Sequence, residues 1–192
     1  GYTVAIGARL NDVLDASGNI MNNSGHVRVY KYDVTKTTNV TDQTSSDFGP
    51  VGWRRLGQDI DGEATNDLSG SSVSISDDGY TVAIGAFQSN NSKGQVRVYQ
   101  YDVTKTTNVT DQTSVDYGPV GWRRLGQDID GEAAGDNSGL SVSLSVDGQT
   151  VAIGAYNNDA GNASTDNRGH VRVYKYDVTK TTNVTDQTSV DY

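Results

Sequence analysis

The sequence has no cysteine, which excludes disulfides and thiolate metal sites. Their absence is no obstacle at 192 residues, a length that can bury a sizeable core without covalent staples. Basic residues are also scarce: 15 Lys and Arg stand against 24 Asp and Glu, for a net charge of -9. Phosphate binding needs a clustered positive surface, so no nucleic-acid partner is expected. No apolar run approaches the ~20 residues of a membrane helix, and the first residues lack the basic and apolar regions of a signal peptide. No membrane insertion is expected of this segment.

Strand and turn formers take the place of what is missing. There are 22 Gly and 11 Tyr against 2 Pro and 1 Met, and several segments alternate Val or Ile with Ser, Thr or Arg. An all-β fold is expected.

Internal repetition dominates the chain. Gly1-Tyr2-Thr3-Val4-Ala5-Ile6-Gly7-Ala8 returns at Gly79 to Ala86, 78 residues later, and, with Gln149 in place of the tyrosine, at Gly148 to Ala155 after a further 69. Val27-Arg28-Val29-Tyr30 recurs at Val96 to Tyr99 and Val171 to Tyr174, and Gly52 to Ala64 recurs at Gly121 to Ala133.

One unit reads as four strands: Ser71 to Ser76, Thr81 to Phe87, Gln95 to Asp102, and Val120 to about Asp128. In the first, Val73 and Ile75 alternate with serines. Asp77-Asp78-Gly79 then supplies an Asp-Gly hairpin turn, so the first two strands pair antiparallel. The second strand carries Val82 and Ile84 on one face and Ala83 and Gly85 on the other, a pattern that fits between two close-packed sheets. The third sets Val96 and Val98 against Arg97, Tyr99 and Tyr101 and reads as half-buried. Segments Arg9 to Ser24, Gln88 to Lys93 and Asn157 to Arg168 differ in length and read as surface loops. The Thr-rich loop from Val34 recurs almost unchanged from Val103 and from Val178, which points to recent duplication or to packing against equivalent neighbours. Four antiparallel strands per repeat describe a propeller blade, with a sandwich as the structural rival.

The run Ser69-Gly70-Ser71-Ser72-Val73-Ser74, then Asp78-Gly79-Tyr80-Thr81-Val82-Ala83-Ile84-Gly85-Ala86, then Gly94-Gln95-Val96-Arg97-Val98-Tyr99, resembles the FG-GAP repeats of integrin α-chain propellers and of bacterial and algal surface proteins. The resemblance spans essentially the whole chain. The Phe-Gly of the family is Ser69-Gly70 or Ser138-Gly139 here, and its Gly-Ala-Pro is Gly85-Ala86-Phe87 or Gly154-Ala155-Tyr156. It implies a β-propeller of four-stranded antiparallel blades. Of about seven blades in a closed ring, the chain would supply about two and three-quarters, as part of a larger propeller: residues 1–68 a partial blade plus linker, 69–137 a complete blade, and 138–192 a partial blade. The calcium loop that integrin-like members carry between the first two strands has no counterpart in Asp77-Asp78-Gly79.

Six Asn-x-Ser/Thr sequons, at Asn22, Asn39, Asn90, Asn108, Asn162 and Asn183, fall one in each loop after the second strand and one in each Thr-rich loop. Chance would scatter some into strands. N-linked glycans are expected, and with them an extracellular, secreted or cell-surface location. Asp59, Asp61, Glu63 and Asp67, matched by Asp128, Asp130, Glu132 and Asp136, offer carboxylates at alternate positions before a Gly turn, as a calcium loop would; solvated acids at a turn between blades are the competing reading. Trp53 and Trp122, beside Arg54-Arg55 and Arg123-Arg124, read as packing between blades, with a carbohydrate- or acid-binding surface as the alternative. His26 and His170 are replaced by Gln95 in the middle unit and read as polar residues at strand starts. Catalysis needs a unique constellation, whereas every candidate here recurs, so no enzymatic activity and no required cofactor are expected. The expected role is a structural or adhesive module whose partners are other copies or subunits of an extracellular, filamentous assembly; the alternative is a propeller that binds a protein or carbohydrate.

Overall fold

The computed structural model describes residues 2–159 and 167–180, and the fold is all-β. Three antiparallel sheets follow one another along the chain. The first holds β1 (Thr3–Ala8), β4 (His26–Tyr32), β5 (Trp53–Arg55) and β6 (Ile60–Asp61); both β5 and β6 pair with β4. The middle sheet has the order β10-β9-β8-β7, from β7 (Ser72–Ile75), β8 (Thr81–Ala86), β9 (Gln95–Tyr101) and β10 (Trp122–Arg124), with β11 (Ile129–Asp130) also on β9. The third orders β12 (Ser138–Leu144), β13 (Thr150–Ala155) and β14 (His170–Lys175).

Within each sheet the pairing follows the sequence pattern. Ser72, Val73, Ser74 and Ile75 lie opposite Gly85, Ile84, Ala83 and Val82. The connecting turn is closed by the Ser76 hydroxyl, which donates to Asp78 Oδ1 at 2.6 Å, and by Gly79 at φ 77°, a conformation that strains any side chain.

The sheets then stack. Val27, Val29 and Ile60 of the first meet Val82, Ile84, Tyr99 and Trp122 of the middle one, with Val73 and Ile75 against the cluster. Ala83, Val96 and Val98, on the other face of the middle sheet, meet Val151 and Ile153 of the third. Burying each such Val or Ile contributes about 1.5–3 kcal/mol. Glycine sets the closest approach. A Cβ on Gly7 would lie 2.1 Å from the Gly70 carbonyl oxygen, and one on Gly85 1.9 Å from that of Gly139.

Three expectations need correction. The fourth strand is not continuous from Val120 to Asp128: it is two short pieces, β10 and β11, on the same edge of β9. Between them the chain leaves the sheet so that Leu125 N–H reaches the Val98 carbonyl and Arg124 pairs with Asp128. The third strand is not half-buried in the middle unit, because a sheet covers each of its faces; Gln95 to Tyr99 are all buried. The loop Arg9 to Ser24 is not wholly irregular, since Val13–Leu14 (β2) pairs with Ile20–Met21 (β3) around an Asp15–Asn19 turn. Its counterpart Gln88 to Lys93 forms a single turn at Ser89–Ser92 with Asn90, Asn91 and Ser92 at positive φ.

Candidate functional site

The chemistry-bearing side chains gather where one sheet meets the next. Glu63 follows β6, in the first unit, and reaches across to the middle unit, where Arg97 Nη1 lies 2.9 Å from its Oε1 and the Tyr117 hydroxyl donates to the same oxygen. Arg97 is fully buried, and its guanidinium also lies near the Ser69 hydroxyl. The carboxylates of Glu63 and Asp128 favour its charge despite its loss of water. Burial pushes the Tyr117 hydroxyl well above its ordinary range, so it stays protonated and can donate to Glu63.

The next junction repeats the arrangement. Glu132 pairs with Arg172 of β14 and accepts from Asn158 Nδ2 at 2.8 Å. Trp122 closes the first junction, its Nε1 donating to the Leu56 carbonyl at 2.9 Å.

The carboxylates expected to resemble a calcium loop are dispersed along these contacts. Asp59 accepts from Arg28 Nε at 2.8 Å and from Arg55 Nη1 at 2.7 Å. Asp128 accepts from Arg124 at 2.6 Å and Gln95 Nε2 at 3.1 Å. Asp67 and Asp136 accept the backbone N–H groups of Ala64 and Ala133 at 2.9 and 3.0 Å, which fixes the turn leading to the next unit. Asp130 is 3.8 Å from Lys93. Asp61 keeps an exposed edge, yet poor solvation of its carboxyl, together with the Asp59 charge, pushes it up to about 6. Among the described residues no three potential metal ligands come together.

Of the sequons, Asn22, Asn39, Asn90 and Asn108 are exposed; Asn162 and Asn183 lie outside the described residues. The Thr-rich loops are tightly tied. Asp33 accepts the Thr35 N–H and hydroxyl at 2.8 and 2.6 Å, and Asp42 does the same for Thr44 at 2.9 and 2.7 Å. Lys36 and Lys105 are buried beneath their loops, where Lys105 Nζ donates to the Thr107 and Gly118 carbonyls at 2.6 and 2.8 Å. Asn39 accepts the Val51 N–H through Oδ1 at 2.9 Å. These bonds give the near-identity of the loops a local cause. Each loop returns to its own sheet through Arg54 or Arg123, whose carboxylate partners are Asp33 with Asp47 and Asp102 with Asp116.

Trp53 and Trp122 stand edge-on to Tyr32 and Tyr101. His26 and His170 open β4 and β14, and His170 lies 3.6 Å from Glu132. No helix of the described residues is long and apolar enough to cross a membrane. The Glu63–Arg97 contact is not legible in local periodicity, which only sets Arg97 on the face of its strand opposite Val96 and Val98. Its signal was that the aligned Glu and Arg recur together. No protein-family model matches the chain, and no curated protein matches it.

Proposed function

We propose that the chain is a non-enzymatic, extracellular structural or adhesive module built from propeller-type blades of the FG-GAP kind, glycosylated on its Thr-rich loops and joined to other copies or subunits of its assembly. The observation that carries this reading is that the polar chemistry is spent on joining units. Glu63 with Arg97 and Glu132 with Arg172 each link one sheet to the next, from equivalent positions. A blade that covers its successor in the same way twice is the building block of a propeller.

The sequons support the extracellular part, because Asn39 and Asn108 stand at equivalent exposed positions in loops whose backbone is fixed by its own hydrogen bonds. A glycan there meets solvent and disturbs no core. Peptide mass spectrometry of the natively purified protein tests this. Occupied Asn39 and Asn108 are expected, and bare asparagines at both would overturn the extracellular reading.

A further inference from the structure

Two pairs of tyrosine rings lie stacked on neighbouring strands, and the third copy of the repeat has glutamine where the pair needs its second ring. Tyr101 ends β9 and donates its backbone N–H at 2.7 Å to the carbonyl of Tyr80, the residue before β8. The two side chains are therefore directly opposed on one face of the sheet. Their ring centroids are 5.9 Å apart, with an interplanar angle of 18°. Tyr2 and Tyr32 repeat the arrangement at 6.2 Å and 25°. In the third sheet Tyr176 N–H bonds at 2.8 Å to the carbonyl of Gln149, which brings no ring.

The middle pair belongs to the sheet that is packed on both faces, and its surroundings fix it. Trp122 stands edge-on to Tyr101 with centroids 5.4 Å apart. Gly121 leaves room for the Tyr101 ring, because a Cβ there would lie 3.2 Å from Cε2. Across the junction Lys31 Nζ donates to the Tyr80 hydroxyl at 3.3 Å and lies 5.7 Å from the centre of that ring. Tyr80 is nevertheless 38% exposed, so a reagent in solution reaches it. We propose that Tyr80 and Tyr101 form a modification site, at which one-electron oxidation by a peroxidase and hydrogen peroxide joins the two phenols covalently.

Each phenol gives up one electron and its hydroxyl proton. The two phenoxyl radicals join through the ring carbons ortho to their oxygens, and the two ortho hydrogens move to those oxygens as the rings regain aromaticity. Hydrogen peroxide takes up the two electrons and two protons and leaves as two waters. Coupling needs two radicals to meet, and rings already stacked on opposed positions meet far more often than rings on separate molecules. In a chain without cysteine the product is a covalent staple between β8 and β9, at the root of the Thr-rich loop that starts at Val103. It restricts the unfolded chain as a disulfide does.

The oxidant rests on the extracellular part of the functional reading, but the geometry does not, so the purified protein tests the pair whether or not its sequons are occupied. The 192-residue protein, kept dilute, is treated with a peroxidase and hydrogen peroxide and mapped by peptide mass spectrometry. The expected product is a linked Tyr80–Tyr101 peptide pair, lighter than its two components by two hydrogens and carrying dityrosine fluorescence. It should form at least about tenfold faster than any link to Tyr156 or Tyr176. Tyr176 is the control, since its 39% exposure matches that of Tyr80 while the residue opposite is Gln149. Tyr80→Phe, which keeps the ring and loses the phenol, should abolish the middle link, and Gln149→Tyr should draw Tyr176 into a new one. No Tyr80–Tyr101 link, or one that forms no faster than links at Tyr156 and Tyr176, would overturn the proposal.

Discussion

The middle sheet and the two outer ones are built from the same sequence and differ in what lies beside them. Val82 and Ile84 are fully buried, whereas Val4 and Ile6, identical residues at identical positions, face outward. The opposite face repeats the contrast: Val96 and Val98 are covered, while Val171 and Val173 are 68% and 66% exposed. The two open faces are therefore complementary halves of the one interface the chain makes twice internally. Polar groups obey the same rule. Arg97 receives Glu63 from the preceding unit, while Arg28 pairs with Asp59 of its own unit. Even the glycine slot repeats: Gly85 is closed by Gly139, but the nearest neighbour of a Cβ on Gly154 is Ser141 of its own sheet. Repeat proteins gain stability from nearest-neighbour interfaces, and here the same residue is core or surface according to whether a neighbour is present.

The contrast is broken most severely at the tryptophans. Trp122→Ala removes a fully buried ring and its bond to Leu56, and a loss of about 3–5 kcal/mol is expected. Trp53→Ala, at the half-buried equivalent, should cost less than half as much; equal losses in urea unfolding would show that the neighbouring unit does not matter. Next come Ile84→Ala, expected to cost about 2–5 kcal/mol, and Ile6→Ala, expected to cost under about 1 kcal/mol. Thermal melts of the pair measure the junction directly.

A smaller effect separates the loops from the core. Asp33 and Asp102 are held down to about 2, first by the Thr35 and Thr104 hydroxyls and then by Arg54 and Arg123. Their folded values lie below the usual carboxylate range, so their contribution to stability is present above about pH 4 and is lost as pH falls toward 2. The melting temperature should fall through that window, and Asp33→Asn with Asp102→Asn should flatten the fall. The smallest effect concerns calcium. Chelation should leave the melt unchanged, because Asp59, Glu63, Asp128 and Glu132 already have cationic partners.

Much of the sheet architecture was legible in the sequence. The Ser/Val alternation, the Asp-Gly turn and the two-faced second strand each have a local cause, so β7, β8 and their pairing could be read from residues alone. The two faces of the second strand are legible too, since Val82 and Ala83 enter different cores. What could not be read was long-range. Whether Arg97 faces water or a half-buried glutamate depends on a residue 34 positions earlier, and local periodicity carries no such information. The break between β10 and β11 likewise follows from the Arg124–Asp128 pair and the Leu125 bond to β9. The acidic run reads as a calcium loop or as acids at a turn between blades; in the fold its members reach arginines and turn amides on both sides of a junction.

The central claim is that neighbouring units, not local sequence, decide the stability of each sheet. Native-state hydrogen exchange of the three identical strands tests it most directly. The amides of Val4 and Ile6, of Val82 and Ile84, and of Val151 and Ile153 all face the third strand of their own sheet, and their immediate sequences are the same. The account predicts that Val82 and Ile84 exchange about a hundredfold or more slowly than Val4 and Ile6, with Val151 and Ile153 between them. Equal protection in all three strands would contradict it.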